Sequence, residues 1–122
     1  MKKSTQPSVR QSLSATELIS GLARLEGWTL SGDGADMAIE KCWNWPDFNQ
    51  SMAFANAVAF LASQQNHHPE LKVQYRQCTV RWRTHDAGGI SRSDLDCAAL
   101  VDALVAGSHE SINPGSRLTG TP

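Results

Sequence analysis

Long apolar runs are missing from this 122-residue chain: nowhere do 18 consecutive apolar residues occur, and the N-terminus carries no apolar stretch. Neither a bilayer-crossing helix nor a secretory leader is therefore expected, which points to a soluble, cytoplasmic protein with no membrane partner. Clustered positive charge is missing too. Eleven Lys and Arg face twelve Asp and Glu, and no basic block occurs beyond Lys2-Lys3. Direct nucleic-acid binding normally needs such a block, so that class of partner is not expected. Cysteine is scarce: Cys42, Cys78 and Cys97 are odd in number and lack metal-type spacing. They read as reduced core thiols in a reducing compartment. No internal repeat is visible, and the length suits one domain.

What is present divides into seven elements. Residues 1–12 are polar, without apolar period, and are expected to form a mobile tail. Ser14-Ala15-Thr16-Glu17 fits a capping box, with Leu13 and Leu18 at the staple positions. Leu18, Ile19, Leu22 and Leu25 then recur at helical spacing, with Gly27 as the expected stop. Residues 28–31 read as a short strand and Gly32-Asp33-Gly34 as a turn. Met37, Ile39, Trp43 and Trp45 alternate as a half-buried strand whose apolar face Lys41 shares, near its edge.

Pro46 and Asp47 open a helix that runs to about Gln65. Phe48, Met52, Ala55, Ala59 and Ala62 form one apolar row, and Phe54, Val58 and Leu61 another. Between Asp47 and Glu70 there is no Asp, Glu, Lys or Arg. An ordinary surface helix has one apolar stripe and a charged back, so this one is expected to be covered on two sides, one of them by a second subunit. Pro69 ends the helix at or before His67. Leu71, Val73 and Tyr75, then Cys78, Val80 and Trp82, alternate as two strands joined near Arg76-Gln77, a pair without the usual hairpin Gly or Asn. Ser91-Arg92-Ser93-Asp94 is a second capping-box pattern, opening a helix that carries Cys97, Leu100, Val101 and Leu104 and ends near Gly107. Residues 108–122 have the composition of a loose tail. The order α-β-β-α-β-β-α implies an α+β fold, three helices over a four-stranded antiparallel sheet, in one domain spanning 13–107.

Three of the four histidines lie in 66–94: His67 and His68 at the helix exit, His85 across the hairpin. Imidazole exchanges protons near neutral pH, and a hairpin brings its flanks together. His109, in the tail, reads as an ordinary surface residue. A metal would need three imidazoles aimed at one point, yet adjacent residues leaving a helix diverge, and no His-x-x-x-His or Cys-x-x-Cys spacing occurs. Proton transfer asks only for one imidazolium to donate and one neutral ring to accept. No nucleophile stands out, since the Ser and Cys residues lack motif context. Asp94 can cap the backbone N–H of Ser91 or hold a nearby imidazole. Arg81 and Arg83 read as a solvated surface on the polar face of the hairpin.

His67-His68-Pro69-Glu70, Tyr75, and then Thr84-His85-x-x-Gly88-Gly89-Ile90-Ser91-x-x-Asp94 resemble the signature of the pterin-4a-carbinolamine dehydratases. The likeness extends to Leu13-Ser14, Gly27-Trp28 and Asp47-Phe48-Asn49. It implies a homodimer or homotetramer and removal of water from 4a-hydroxytetrahydropterin, without metal or cofactor, in tetrahydrobiopterin recycling for an aromatic amino-acid hydroxylase. By that resemblance His67, His68, His85 and Asp94 are catalytic, and Pro69, Glu70 and Thr84 bind substrate. His67 and His85 would serve the leaving hydroxyl, His68 a ring proton, and Asp94 would tune His85. Leu71 stands where the family often has an aromatic residue, and Ser63 where it often has an acid. Two other readings predict different behaviour. One is a protein-binding module that uses the uncharged helix 46–65. The other is a three-histidine metal hydrolase that would carry stoichiometric metal.

Overall fold

The computed structural model describes residues 11–111. Seven main elements follow in the expected order: α1 (Ala15–Leu22), β1 (Thr29–Ser31), β2 (Ala38–Asn44), α2 (Phe48–Gln65), β3 (Glu70–Val73), β4 (Gln77–Trp82) and α3 (Arg92–Ser111). The strands form one antiparallel sheet in the order β1-β2-β4-β3. Because β2 and β4 are neighbours, α2 must cross the sheet and deliver the chain to its far edge, where β3 begins. Among the described residues no helix is long and apolar enough to cross a membrane.

Strand parity builds the core. Ile39 of β2 and Cys78, Val80 and Trp82 of β4 point to the helix side and are fully buried. From above, α2 adds Phe54, Ala55, Val58 and Ala62, and α3 adds Leu95, Cys97, Ala98 and Val101. Each large side chain buried this way contributes about 1.5–3 kcal/mol. Trp43 and Trp45 close on Phe54 at ring-centroid distances of 4.8 and 5.0 Å. Lys41 lies at the rim of this interface, as its place on the apolar face implied. Its Nζ donates to Asp102 Oδ1 on α3 at 3.0 Å, and Trp28 Nε1 donates to the same carboxylate.

Several boundaries differ from the sequence reading. The capping box of α1 forms, with Ser14 and Glu17 each accepting from the other's N–H, but the helix stops at Leu22. Leu25, though in helical register, is buried from the turn that follows, and Gly27 (φ +88°) redirects the chain into β1. Asp47, not Pro46, is the cap of α2, its side chain accepting the N–H of Gln50. Tyr75 is no strand residue. Gln74 N–H donates to Gln77 O at 2.8 Å, which centres the hairpin on Tyr75-Arg76. Neither residue has a positive φ, so the turn needs no glycine.

Only one stripe of α2 is buried: Ser51, Phe54, Ala55, Val58 and Ala62. Ala59 and two rings, Phe48 and Phe60, remain exposed, Phe60 by 67%. The two expected apolar rows are therefore half covered by this chain. Ser12, assigned to the N-terminal tail, pairs with Ser91 instead. α3 runs on to Ser111, so the first four residues assigned to the C-terminal tail are helical. The remaining expected tail residues, 1–10 and 112–122, lie outside the described residues.

Candidate active site

Two local devices build the site. At the end of α2, Asn66 takes the left-handed conformation (φ 51°, ψ 42°), one of few residue types that do so readily. The His67 N–H then folds back to Ala62 O at 3.1 Å. This reversal drives the His67 ring inward, to 4% exposure, and leaves His68 exposed. The second device follows β4. Inward parity continues from Trp82 to Thr84, while Arg83 and His85 fall on the other side. His85 opens a single 3₁₀ turn (His85–Ala87), which Gly88 closes with φ +70° before Gly89 O accepts the Thr84 N–H.

Inside, His67 lies nearly parallel to Trp82, with ring centroids 5.3 Å apart and an interplanar angle of 16°. Its Nε2–H donates to Asp94 Oδ1 at 2.6 Å. Asp94 is fully buried at the third position of α3, where the helix dipole favours a carboxylate. Its Oδ2 accepts from Ser91 N–H at 2.9 Å and from Thr84 Oγ1 at 2.8 Å, and Ser91 Oγ also bonds Thr84 Oγ1. His67, Thr84 and both the N–H and the Oγ of Ser91 thus converge on one carboxylate. The arrangement fixes the His67 ring and, in the neutral imidazole, holds its proton on Nε2.

His67, His68, Thr84 and His85 line one cleft of about 220 Å³, together with Asn66, Arg83 and Asp86. The four predicted residues meet there, with Asp94 directly behind His67. Among the described residues, His68 and His85 make no side-chain hydrogen bond, so both rings are open to a ligand. The expected Asp94–His85 contact is replaced by Asp94–His67, because strand parity turns Thr84 rather than His85 toward α3. Pro69 and Glu70 are not in the cleft lining. Glu70 sits on the outer sheet face, its Oε1 accepting from Arg81 Nη1 at 2.7 Å. That bond pushes the Arg81 guanidinium above its ordinary value.

Asn66, Arg83 and Asp86 were not singled out as site residues. For Asn66 the signal was its place just after a helix, where left-handed caps occur. For Arg83 it was the parity shared with His85. Among the described residues, no group of three His, Cys, Asp or Glu side chains is placed to hold a metal ion.

The family described as Pterin 4 alpha carbinolamine dehydratase matches residues 11–104. A protein of Paracidovorax citrulli named "Putative pterin-4-alpha-carbinolamine dehydratase" is 51% identical over 108 residues, covering 88% of this chain and 93% of its own length. A protein of the same name from Bdellovibrio bacteriovorus is 40% identical over 108 residues, covering 85% and 86%. Among solved structures, a transcriptional coactivator/pterin dehydratase from Brucella melitensis matches with a TM-score of 0.70 at 26% identity, over 77% of this chain and 98% of that one. A pterin dehydratase-like protein identified as a RuBisCO assembly factor in the alpha-carboxysome shares the fold, with a TM-score of 0.54 at 21% identity over 65% of this chain and 89% of that one.

Proposed function

Since the chain belongs to the pterin 4 alpha carbinolamine dehydratase family, we propose that it removes water from 4a-hydroxytetrahydropterin to give quinonoid dihydropterin, by histidine acid–base catalysis. The observation that carries this reading is the buried His67–Asp94 pair backing a cleft that also holds two unbonded imidazoles.

In the reaction the C4a–O bond breaks as a proton reaches the hydroxyl oxygen, and a ring nitrogen gives up a proton as its electron pair forms the new C=N bond. His67 and His85 serve the leaving hydroxyl, one donating while the other steadies the departing water. His68 takes the ring proton. Asp94 keeps His67 in one tautomer and balances the charge that the ring gains during transfer. Thr84 acts through Asp94 by donating to it. Each acid–base step is worth roughly 10²–10⁴-fold. The reading calls on no metal and no cofactor.

A second copy of the chain is the proposed cover for the exposed Phe48 and Phe60 face of α2, giving a homodimer or homotetramer. Tetrahydrobiopterin recycling for an aromatic amino-acid hydroxylase is the proposed setting. Three cysteines, none of them in a disulfide, suit a reducing, cytoplasmic compartment. That same α2 face favours one alternative, a protein-binding module without catalysis; the Brucella relative is described as a transcriptional coactivator as well as a pterin dehydratase.

The test is stopped-flow loss of 4a-hydroxytetrahydropterin, run with a metal chelator present. The protein should accelerate the loss, and His67→Ala and His85→Ala should each slow it by at least roughly 10²-fold. Wild-type rates in both variants would refute the assignment, and partner capture surviving in them would favour the alternative.

A further inference from the structure

The outer face of β4 carries two arginines two residues apart, and they are used differently. Arg81 is spent. Its Nη1 donates to Glu70 Oε1 at 2.7 Å, its Nη2 to Asp36 O at 3.0 Å and Ser31 O at 3.4 Å, and its Nε lies 3.3 Å from Glu40 Oε1. Arg83 commits one corner only. Its Nη1 donates to Ala35 O at 3.1 Å and lies 3.4 Å from Asp36 Oδ1. Its Nη2 is 4.0 Å from Glu70 Oε2, beyond hydrogen-bond reach. Among the described residues, the Nε–H and Nη2–H groups of Arg83 have no hydrogen-bond acceptor, although the side chain is only 22% exposed. Arg83 also forms part of the cleft wall with His67, His68 and His85, whereas Arg81 does not.

A guanidinium in the cleft wall with unspent, water-accessible donors is placed to offer them to an acceptor on a bound ligand. Surplus charge is not what this corner offers. Arg81 and Arg83 together face Asp36, Glu40 and Glu70, so an anionic ligand gains little there. The ligand group that fits is a neutral acceptor. On the reading of the cleft as a pterin dehydratase site, on which this inference rests, the ring supplies one at C4, beside the carbon that loses its hydroxyl. The neighbouring 2-amino and N3–H groups are donors that a guanidinium cannot serve.

We propose that Arg83 is a substrate-positioning and specificity-determining residue that donates to the C4 carbonyl oxygen of the pterin. The turn at 34–36 anchors it through Ala35 O, and the bond to the ring selects a 4-oxo ring over a 4-amino ring.

The test uses two unreactive ligands, 7,8-dihydropterin and its 2,4-diamino analogue, titrated calorimetrically into the wild-type protein, Arg83→Gln and Arg81→Gln. Stopped-flow dehydration is measured alongside. The wild type should bind the oxo ring roughly 10- to 100-fold more tightly than the amino ring, as one charge-assisted hydrogen bond allows. Arg83→Gln should lose most of that preference and raise KM by a similar factor, with kcat within about threefold. Arg81→Gln should keep the preference while lowering the melting temperature. Where Arg83→Gln fails to fold, Arg83→Lys serves, because lysine cannot hold Ala35 and reach the ring together; the preference should fall in the same direction. An unchanged preference in the Arg83 variant, or equal weakening of both rings, overturns the proposal. A wild-type protein that neither binds the oxo ring nor speeds dehydration overturns the parent reading, and this one with it.

Discussion

Replacing Asp94 by asparagine changes one atom and should disable His67 without dismantling its surroundings. The carboxylate serves two sets of partners: Oδ2 takes Ser91 N–H at 2.9 Å and Thr84 Oγ1 at 2.8 Å, and Oδ1 takes His67 Nε2–H at 2.6 Å. In Asp94→Asn the amide oxygen can keep the first pair, which puts the NH₂ group against His67. A donor then faces a donor, and the cheapest remedy is for the imidazole to move its proton to Nδ1. The tautomer that Asp94 is proposed to keep is thereby inverted. Exchanging a charge-assisted bond for a neutral one costs about 1–2 kcal/mol, or roughly 5–15 °C in Tm for a domain of this size. Loss of the acid–base step should cost about 10²–10⁴-fold in kcat. By contrast, Asp94→Ala strands His67, Thr84 and Ser91 together and should cost about 3–5 kcal/mol. The assay is stopped-flow dehydration alongside ¹⁵N spectra that report the His67 tautomer. A variant that turns over within about threefold of wild type with its tautomer inverted would refute the reasoning.

Four further outcomes are expected. Burial pushes the Cys78 thiol up to about 11, so at pH 8 it should resist alkylation while exposed Cys42 reacts, and unfolding should release it; mass spectrometry after iodoacetamide treatment checks this. Ser14→Ala should cost about 0.5–2 kcal/mol by urea titration. Hydrogen bonds from Ser14 hold the Glu17 carboxyl below its ordinary value. The part of the box that Glu17 supplies is therefore complete above that ordinary value and is lost as pH falls through the lower folded one, whereas the bond that Ser14 Oγ accepts from the Glu17 N–H persists, so wild type and variant should draw closer in acid without meeting. Phe54→Ala should destabilise by about 3–5 kcal/mol. Phe60→Ala, on the open face of α2, should stay within about 0.5 kcal/mol in the isolated chain, and light scattering should show weakened association if that face meets a second copy.

The element order and the inward residues were legible because period-2 and period-3.6 patterns report directly on burial. Ile39, Val80 and Trp82 fall where their alternation put them. Ends were harder to read. Leu25 keeps helical spacing after the chain has left α1, because a buried turn can fill the same core position. Tyr75-Arg76 forms a hairpin turn without a glycine to mark it, so the centre was read one residue late. At the cleft, the convergence of His67, His68, Thr84 and His85 followed from strand pairing. The partner of Asp94 did not: the pairing was expected at His85, and only the left-handed step at Asn66 brings His67 across 27 residues to the carboxylate. Arg83 was hidden by its likeness to Arg81, since charge and parity are the same and only the acceptors around them differ.

α2 therefore works as a ruler. Each residue added or removed along its 18 would swing the exit by about 100°, moving the backward step of Asn66 to a different compass bearing and exchanging the sequestered imidazole for the wet one. Its outward side can be rewritten residue by residue with little effect on the cleft, but its count cannot change. A single-residue deletion anywhere between Phe48 and Gln65 should do more harm to the chemistry than several substitutions on the outward face together.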